Sequence, residues 1–238
     1  MKKFLFLLCL LVCFMRPSMA ANNISTLVPL TQSEFRLLSE DLGSALSYKP
    51  ITPAEPLGTS GFDFGLAVSS TDMKRSSQAW LKSSGSSINN LYIPKLHIAK
   101  GLPFNLDVAA FYSSIPSTNI KLYGGELRYA ILEGGIAAPA IAIRGSYTKM
   151  SGVNQLSFDT KGLDISISKG FALFTPYAGF GRVWSNSTPQ VSTLSAEKFS
   201  QSKLFVGTNM NFGLTNFALE ADKTGAALSY SAKLGFRF

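Results

Sequence analysis

The sequence offers little for acid–base or nucleophilic chemistry, because it holds a single histidine, His97. Histidine is the side chain that most readily gains and loses a proton near neutral pH, and as a catalyst it needs a partner group beside it. Residue types alternate between Tyr92 and Lys100, which places His97 on the same strand face as Ile93 and Lys95. We expect a structural interior histidine and no enzyme. A pair formed with a serine from a neighbouring strand is the catalytic alternative.

Metal and cofactor chemistry have no better support in the sequence. Both cysteines, Cys9 and Cys13, lie within the first twenty residues, and the carboxylates are scattered without the spacing of a zinc or calcium site. The glycines occur singly, and none of them belongs to a phosphate-binding loop. We therefore expect neither a metal ion nor another cofactor.

Charged residues recur on the more polar face of the alternating segments, and these are the candidate lumen-lining residues. The set comprises Asp63, Lys95, His97, Asp107, Glu126, Arg128, Arg144, Asp164, Lys203, Glu220, Lys233 and Arg237. Leaving out the histidine, six are basic and five are acidic, so their charges nearly balance. A charge in a narrow interior must be paired or hydrated, which favours a network of charge pairs. A polar pore lining with little ion selectivity is the other possibility.

The elements that position these residues are strands, because the apolar pattern has a period of two from about Gly61 to the end. Only 15% of the residues are charged, against about 25% in an ordinary soluble domain. The chain contains no run of about 18 apolar residues, which argues against membrane-spanning helices. Two fold classes are compatible with the pattern: a secreted β-sandwich, and a membrane β-barrel whose apolar face meets lipid.

Strand and loop lengths favour the barrel. The predicted strands reach the length of a tilted membrane crossing, about 9–11 residues, whereas strands in globular proteins cluster near about 5–6 residues. Short turns near 101–103, 133–136, 168–171 and 213–216 alternate with connections at 71–90, 114–119, 150–153, 185–200 and 222–225. Aromatic residues at strand ends are typical of membrane interfaces: Phe62, Tyr92, Tyr112, Tyr123, Tyr147, Trp184, Tyr230 and Phe238. We predict an all-β fold, an antiparallel transmembrane barrel of about ten strands, within a range of about 8–12.

Two regions break the regular pattern. The apolar parity changes near Gly162, from Leu156 and Phe158 before it to Leu163 and the residues after it, which predicts a β-bulge at the glycine. In the segment 173–184 neither face is clearly apolar, so the sequence assigns that strand poorly.

Residues 1–20 have the pattern of a secretory signal peptide. A basic start precedes an apolar stretch too short to span a bilayer, and Ser18 and Ala20 are the small residues that signal peptidase recognises. An anchoring helix is the alternative. Removal of this segment would discard both cysteines and lower the formal charge of +8 by three. The remaining chain would have no disulfide and no clustered basic surface for nucleic acid.

Residues 21–60 form a separate segment before the strands. Residues 31–34 fit a helix capping box, and apolar residues then recur at helical spacing through about Tyr48. Three prolines between 50 and 56 end the helix and make the next stretch extended. The helix either packs on the body of the protein from the periplasm or plugs the barrel, and a Pro-rich linker joins it to the barrel, which we expect to comprise residues 61–238.

The final strand carries a family resemblance. From Leu228 onward apolar side chains occupy every second position, and the chain ends in an aromatic residue. This pattern resembles the C-terminal strand of bacterial outer-membrane β-barrel proteins, with Tyr230, Leu234, Phe236 and Phe238 as the assembly signal. The resemblance implies a Gram-negative outer membrane and recognition by the barrel-assembly machinery, and it indicates no subfamily. The helix and proline segment also resembles the N-terminal hatch of fatty-acid-type outer-membrane transporters, although those barrels have more strands.

Three functional hypotheses follow. A narrow pore or carrier for small molecules, apolar ones included, comes first, because a barrel of about ten strands is near the small end of the size range. A structural or surface-interaction barrel with a filled lumen is the second. A lipid-modifying enzyme is the third: in the lipid hydrolases of this class a serine stands two residues after the histidine, and here that residue is Ala99.

The expected partners are the lipid and lipopolysaccharide of the outer membrane, and the sequence does not indicate an oligomeric state. Basic residues in the predicted outer loops could contact lipopolysaccharide phosphates: these are Lys74, Arg75, Lys82, Lys198 and Lys223. Ordinary solvated loop charge is the equal alternative.

Overall fold

The computed structural model describes residues 23–135 and 137–238, so the predicted signal peptide lies outside the described residues. In chain order the elements are α1 (Gln32–Leu46), β1 (Phe62–Asp72), a 3₁₀ turn (Lys74–Ser76), α2 (Ser77–Ser84), β2 (Asn90–Leu102), β3 (Leu106–Ser114), β4 (Lys121–Glu133), β5 (Ala140–Ser151), β6 (Leu156–Ser168), β7 (Phe174–Pro189), β8 (Glu197–Phe212), β9 (Thr215–Thr224) and β10 (Ala227–Arg237). In this described part of the chain, none of the helices is both long and apolar enough to cross a bilayer.

The strands form one closed antiparallel barrel. Each strand pairs with its neighbours in sequence, and β10 pairs with β1 to close the sheet. At the seam Phe62 and Phe238 exchange two backbone hydrogen bonds of 2.6 and 3.0 Å, and their ring centroids are 5.8 Å apart. Closure removes the unpaired edges that an open sheet would expose. The predicted antiparallel barrel of about ten strands is confirmed.

The two ends of the barrel differ in the length of their connections. At one end the strands are joined by 103–105, 134–139, 169–173 and 213–214, and at the other by 73–89, 115–120, 152–155, 190–196 and 225–226. The first set is short, and the second includes the longest connection, which contains α2. In membrane barrels short turns face the periplasm and longer loops face outward. We therefore name the first end periplasmic and the second extracellular.

The predicted bulge at Gly162 is wrong. Strand β6 keeps a continuous register with both of its neighbours across this glycine. The apolar residues change sides because Leu156 and Phe158 point inward and are buried, whereas Leu163 points outward. The one register shift between named strands in the described residues lies in β4, between Ala130 and Leu132. The change of the apolar face along β6 therefore indicates that the lumen is apolar at the level of Leu156 and Phe158 and polar at the level beyond Gly162.

Two loops also differ from the sequence prediction. Strand β7 continues to Pro189 and β8 begins at Glu197, so the connection predicted at 185–200 shrinks to 190–196. The connection predicted at 71–90 is an ordered structure that contains the 3₁₀ turn and α2. Helix α2 is capped at its C-terminus by Gly85, whose φ of 78° is the left-handed conformation that glycine adopts at helix C-termini.

Candidate functional site

The first half of the N-terminal segment forms helix α1. The Thr31 hydroxyl accepts a hydrogen bond from the Glu34 backbone N–H at 3.3 Å, and Glu34 Oε2 accepts one from the Thr31 N–H at 2.9 Å. Phe35, Leu38 and Leu42 lie on one face of the helix and are completely buried. The predicted helix and its capping box are confirmed.

Helix α1 lies inside the extracellular half of the barrel. Its apolar face belongs to one cluster with inward-facing residues of the wall: Leu91, Ile93, Phe111, Leu122, Met150, Leu156 and Phe158. Gly43 permits close approach of the helix, because a Cβ there would lie 2.8 Å from Ser185 Oγ and 3.1 Å from the Phe199 ring. This half of the lumen therefore has an apolar core, which explains why the apolar side chains at the start of β6, Leu156 and Phe158, point inward.

Buried polar contacts fix the helix to the wall. Ser39 Oγ and Ser187 Oγ are 2.7 Å apart, and both side chains are buried. The Ser44 hydroxyl donates to the Thr224 carbonyl at 2.7 Å. Such groups must find partners when water is excluded, and these contacts specify the depth at which the helix sits.

A buried ion pair follows directly after the helix. Lys49 Nζ lies 2.7 Å from Asp222 Oδ1, and both side chains are 0% exposed. Lys49 Nζ also donates to the Ser44 carbonyl at 2.9 Å and to Ser47 Oγ at 3.0 Å. This pair was not predicted from the sequence, where Asp222 was placed in a hairpin. The only signal was that Asp222 keeps the inward parity of Glu220.

The proline-rich half of the segment fills the periplasmic half of the lumen. Its backbone N–H groups donate to side chains of the inner wall: Ile51 to Glu220 at 3.0 Å, Ala54 to Ser168 at 3.1 Å and Leu57 to Asp107 at 3.1 Å. Arg128 donates to the Pro53 carbonyl and to Thr52 Oγ1. An extended chain cannot satisfy its own backbone, so these wall side chains replace a helix or sheet partner.

The start of the segment lies at the extracellular end. The Ser25 N–H donates to the Ser83 carbonyl in α2 at 3.0 Å, and the Leu27 N–H donates to Gln155 Oε1 at 2.7 Å. The segment therefore passes through the whole lumen, from the extracellular end at residues 24–31 to the periplasmic end, where β1 begins. We call residues 24–57 the plug.

Ion pairs on the extracellular side tie α1 to the loops: Lys82 to Glu34 at 2.6 Å, Arg75 to Glu40 at 3.0 Å and Arg36 to Glu197 at 2.7 Å. The hydrogen bond from Lys82 lowers the pKa of Glu34. Burial raises the pKa of Glu40, but the hydrogen bonds from Arg36 and Arg75 outweigh this effect, so the pKa is lowered. A carboxyl group with a lowered pKa stabilises the fold above its ordinary pKa of 4.5, and this contribution disappears as the pH falls through the lowered value.

Acid will therefore loosen α1 from the loops. With Trp184→Phe, the buried Trp80 of α2 becomes the only tryptophan, and we expect its emission to shift to longer wavelength as the pH falls below about 4.5. Burial raises the pKa of Asp41, which acts in the opposite direction, so the shift will be partial. The matched variant Glu34→Gln with Glu40→Gln should show the shift already at neutral pH. Emission that stays constant until the whole barrel unfolds would contradict this prediction.

The twelve predicted lumen-lining residues all lie on the inner face of the barrel. Asp107, Arg128, Arg144 and Asp164 are direct cross-strand neighbours on β3 to β6. Arg128 lies 2.6 Å from Asp107, and Arg144 bridges Asp164 at 3.1 Å and Glu126 at 3.3 Å. The two adjacent arginines are thus flanked by carboxylates, as a low-dielectric interior requires.

The remaining members of the set meet other partners. Lys233 pairs with Asp63 at 2.7 Å, and Arg237 lies opposite Asp63 in the register. Glu220 accepts a hydrogen bond from the Tyr177 hydroxyl at 3.0 Å, and Lys203 donates one to the Tyr48 carbonyl. Lys95 lies 5.1 Å from the Phe111 ring centroid. The three aromatic partners come from outside the predicted set. Tyr177 in particular was hidden by the weak pattern of its strand.

His97 lies beneath the plug. Its Nε2 atom is 3.4 Å from the Tyr48 hydroxyl, and its Nδ1 atom is 3.9 Å from Asp63 Oδ1. The adjoining cavity has a volume of about 10 Å³, which is room for one water. No three His, Cys, Asp or Glu side chains converge as metal ligands in residues 23–135 and 137–238. The structure brings His97 to a tyrosine and a carboxylate in a sealed space.

The exposure of the two faces is the inverse of that in a soluble protein. Inside, Arg128 and Arg144 are 2% and 1% exposed, whereas outside Leu66 and Phe180 are 67% and 65% exposed. A continuous apolar outer band around a polar interior fits lipid as the surrounding solvent. This is an outer-membrane β-barrel. It resides in the outer membrane of a Gram-negative bacterium, and the resemblance of its last strand, which ends in Phe238, to that class of protein is confirmed.

No protein-family model matches the chain, and no curated protein matches it in sequence. Solved structures to which its barrel is similar include those of three bacterial proteins. The N-terminal β-barrel domain of Pseudomonas aeruginosa OprF is 13% identical, with 73% of this chain and 97% of that one covered and a TM-score of 0.39. The outer-membrane protease OmpT of Escherichia coli is 8% identical, with 75% and 95% covered and a TM-score of 0.39. The attachment invasion locus protein Ail of Yersinia pestis is 13% identical, with 75% and 97% covered and a TM-score of 0.29. These likenesses indicate no subfamily.

Proposed function

We propose that this outer-membrane barrel does not conduct and that it acts through the surfaces it presents, as a structural or surface-interaction protein with a filled lumen. One observation carries the proposal: the plug passes through the entire lumen and contacts the wall at every level. Of the three hypotheses from the sequence, this favours the second over a narrow pore or carrier.

The contacts of the plug make spontaneous opening unfavourable. Exposing Phe35, Leu38 and Leu42 to water would cost roughly 1.5–3 kcal/mol for each side chain. Withdrawal of the plug would also break the buried ion pair of Lys49 and Asp222. These terms together exceed the thermal energy many times, so an open lumen would be a rare state.

The same arrangement supports a non-enzymatic role. His97 is covered by the plug and its ring nitrogens face Tyr48 and Asp63, so a lipid substrate in the membrane has no path to it. The extracellular end, in contrast, is held in one shape because α1 is tied by ion pairs to α2 and to the start of β8. A fixed polar surface of this kind suits recognition of a partner.

We also propose that the last strand serves as the assembly signal. Tyr230, Leu234, Phe236 and Phe238 all project outward from β10 and its end, and they are 46–66% exposed. They are accessible on the lipid-facing side, where the barrel-assembly machinery could recognise them before insertion.

A reversible cross-link tests the closed lumen in the full chain. Ser39→Cys with Ser187→Cys joins the plug to β7, because the two hydroxyl oxygens are only 2.7 Å apart. Ser69→Cys with Ser231→Cys is the matched control, since those oxygens are 2.8 Å apart and the bond joins β1 to β10 within the wall. Each protein is placed in planar lipid bilayers and its conductance is recorded, first oxidised and then reduced.

The proposal requires no conductance in the wild type or in either variant, whatever the redox state. Steady conductance of the wild type would overturn it. Conductance of the 39–187 variant that appears only on reduction would identify the plug as a gate and would favour the narrow pore or carrier.

A further inference from the structure

Three basic residues stand on the outer wall of the barrel, on neighbouring strands. Lys149 of β5, Lys161 of β6 and Arg182 of β7 are all exposed. Lys161 lies directly between Tyr147 and Trp184 on the adjacent strands, and Lys149 and Arg182 are its diagonal neighbours. Diagonal positions in a sheet are about 7–8 Å apart, within reach of long side chains. Lys161 can therefore approach one ligand together with either of its two neighbours.

Arg182 lies at the depth of the apolar band. Its direct partner on β6 is the exposed Leu163, and the next outward residue of β7 toward the periplasm is Phe180. Within the described part of the chain, Lys149, Lys161 and Arg182 form no ion pair. A cation on the lipid-facing side is destabilising unless it reaches the interface or an opposite charge. The wall thus lacks an anion at this point.

Asp159 does not supply that anion for the two deeper cations. It lies directly across from Lys149, on the extracellular side of Lys161, and its Oδ2 atom accepts a hydrogen bond from Asn186 at 3.0 Å. The charge of Asp159 therefore lies near Lys149 and on the extracellular side of Lys161 and Arg182. Lys161 and Arg182 remain available to a ligand that approaches from the membrane.

An apolar groove begins immediately on the periplasmic side of Arg182. It has a volume of about 280 Å³ and is lined by Ile141, Ile165, Ile167, Ala178, Phe180 and Leu204, together with Ser166 and Gly179. The small Ala178 sits between the bulkier Ile167 and Val206 on the neighbouring strands, so the wall is indented there. A hydrocarbon chain that lies along the barrel would fit this indentation.

We propose that the outer wall of β5 to β8 binds a phosphorylated, multiply acylated lipid of the outer leaflet, such as the lipid A part of lipopolysaccharide. Its phosphate lies between Lys161 and Arg182, and one acyl chain occupies the groove below. The cations stand at the extracellular side of the groove. An outer-leaflet lipid has the same orientation, with its headgroup toward the outside and its acyl chains deeper in the membrane. Tyr147 and Trp184 beside Lys161 are the residue types that favour the interface.

This places the lipid-phosphate contact on the wall and not on the loops where the sequence suggested it. Three of the five loop cations already have partners: Lys74 pairs with Asp72 at 3.4 Å, Arg75 with Glu40 at 3.0 Å and Lys82 with Glu34 at 2.6 Å. The wall site is separate from the plug, so it does not depend on whether the lumen conducts.

Native mass spectrometry of the full-length protein with added lipid A tests the site. The lipids are lipid A with both phosphates, lipid A without phosphates, and phosphatidylglycerol, and inorganic phosphate is the competitor. The variants are Lys161→Gln with Arg182→Gln for the cations, Ala178→Leu for the groove, and Lys74→Gln as the loop control. Heat-modifiable gel migration confirms that each variant is folded.

We expect bisphosphorylated lipid A to bind best, and the double glutamine variant to lose about tenfold or more in affinity. Ala178→Leu should weaken binding too, and Lys74→Gln should leave it unchanged. Four outcomes would each overturn the proposal: no binding to the wild type, no effect of the cation variant, equal binding of phosphatidylglycerol, or displacement by inorganic phosphate. An equal loss in Lys74→Gln would return the contact to the loops.

Discussion

A cysteine introduced at Asn23 will react with a membrane-impermeant maleimide added to intact cells. Asn23 is exposed, and the residues that follow it are held at the extracellular end, where Ser25 bonds to Ser83 and Leu27 bonds to Gln155. Both natural cysteines lie in the first twenty residues, which the signal-peptide prediction removes, so the new thiol would be the single target. A blot for the attached label measures the reaction.

Thr59→Cys is the matched control at the other end of the same segment. Thr59 is also exposed, but it lies at the periplasmic end, where its carbonyl accepts a hydrogen bond from Lys100. We expect it to be labelled only after the outer membrane is permeabilised. If Asn23→Cys also required permeabilisation, either the plug would not reach the extracellular end or the orientation of the barrel would be reversed.

The plug and the wall share one core, which decides how the plug must be studied. Without the plug, inward apolar side chains such as Phe111 and Phe158 would face water, and Asp222 would lose its buried partner Lys49. A deletion would therefore test folding as much as closure. Cross-links and single substitutions in the full chain keep the core in place and separate these two effects.

The parts of this fold that depend on local pattern could be predicted from the sequence. A period of two specifies a strand and its faces, because successive side chains point to opposite sides. For the same reason parity alone placed Arg128 and Arg144 among the candidate lumen residues, before their partners were known. The capping box at Thr31 is equally local, since both of its hydrogen bonds join residues three positions apart.

The parts that depend on contacts between distant segments could not be predicted. Lys49 and Asp222 are 173 positions apart, and nothing in the sequence near either residue specifies the other. Gly162 shows the same limit. The bulge predicted there assumed that all apolar residues of a strand point to one side, but Leu156 and Phe158 point inward because α1 occupies that level of the lumen. A filled lumen provides a second apolar environment, and the strand pattern alone does not reveal its presence.

Replacing Arg144 with methionine will strongly destabilise the barrel. The guanidinium group is almost fully buried and contacts Asp164 at 3.1–3.2 Å and Glu126 at 3.3 Å. Methionine fills similar space but leaves two carboxylates close together without a counter-charge. Breaking a buried ion pair by removal of one partner costs about 3–5 kcal/mol. Urea unfolding in detergent, followed by heat-modifiable gel migration, measures the loss.

Two further variants separate charge from packing. Arg182→Met removes an arginine from the lipid-facing side of the same wall, and we expect no loss of stability there, because a cation at that depth is itself destabilising. Adding Glu126→Gln and Asp164→Asn to Arg144→Met should restore much of the stability, because the uncompensated charges are then gone. If the triple variant were no more stable than Arg144→Met alone, the arginine would act through its packing against Phe205 and not through its ion pairs. The near balance of charge among the neighbouring Asp107, Arg128, Arg144 and Asp164 would then be a consequence of the fold. The stability that the triple variant regains decides whether Arg144 acts through its ion pairs or through its packing.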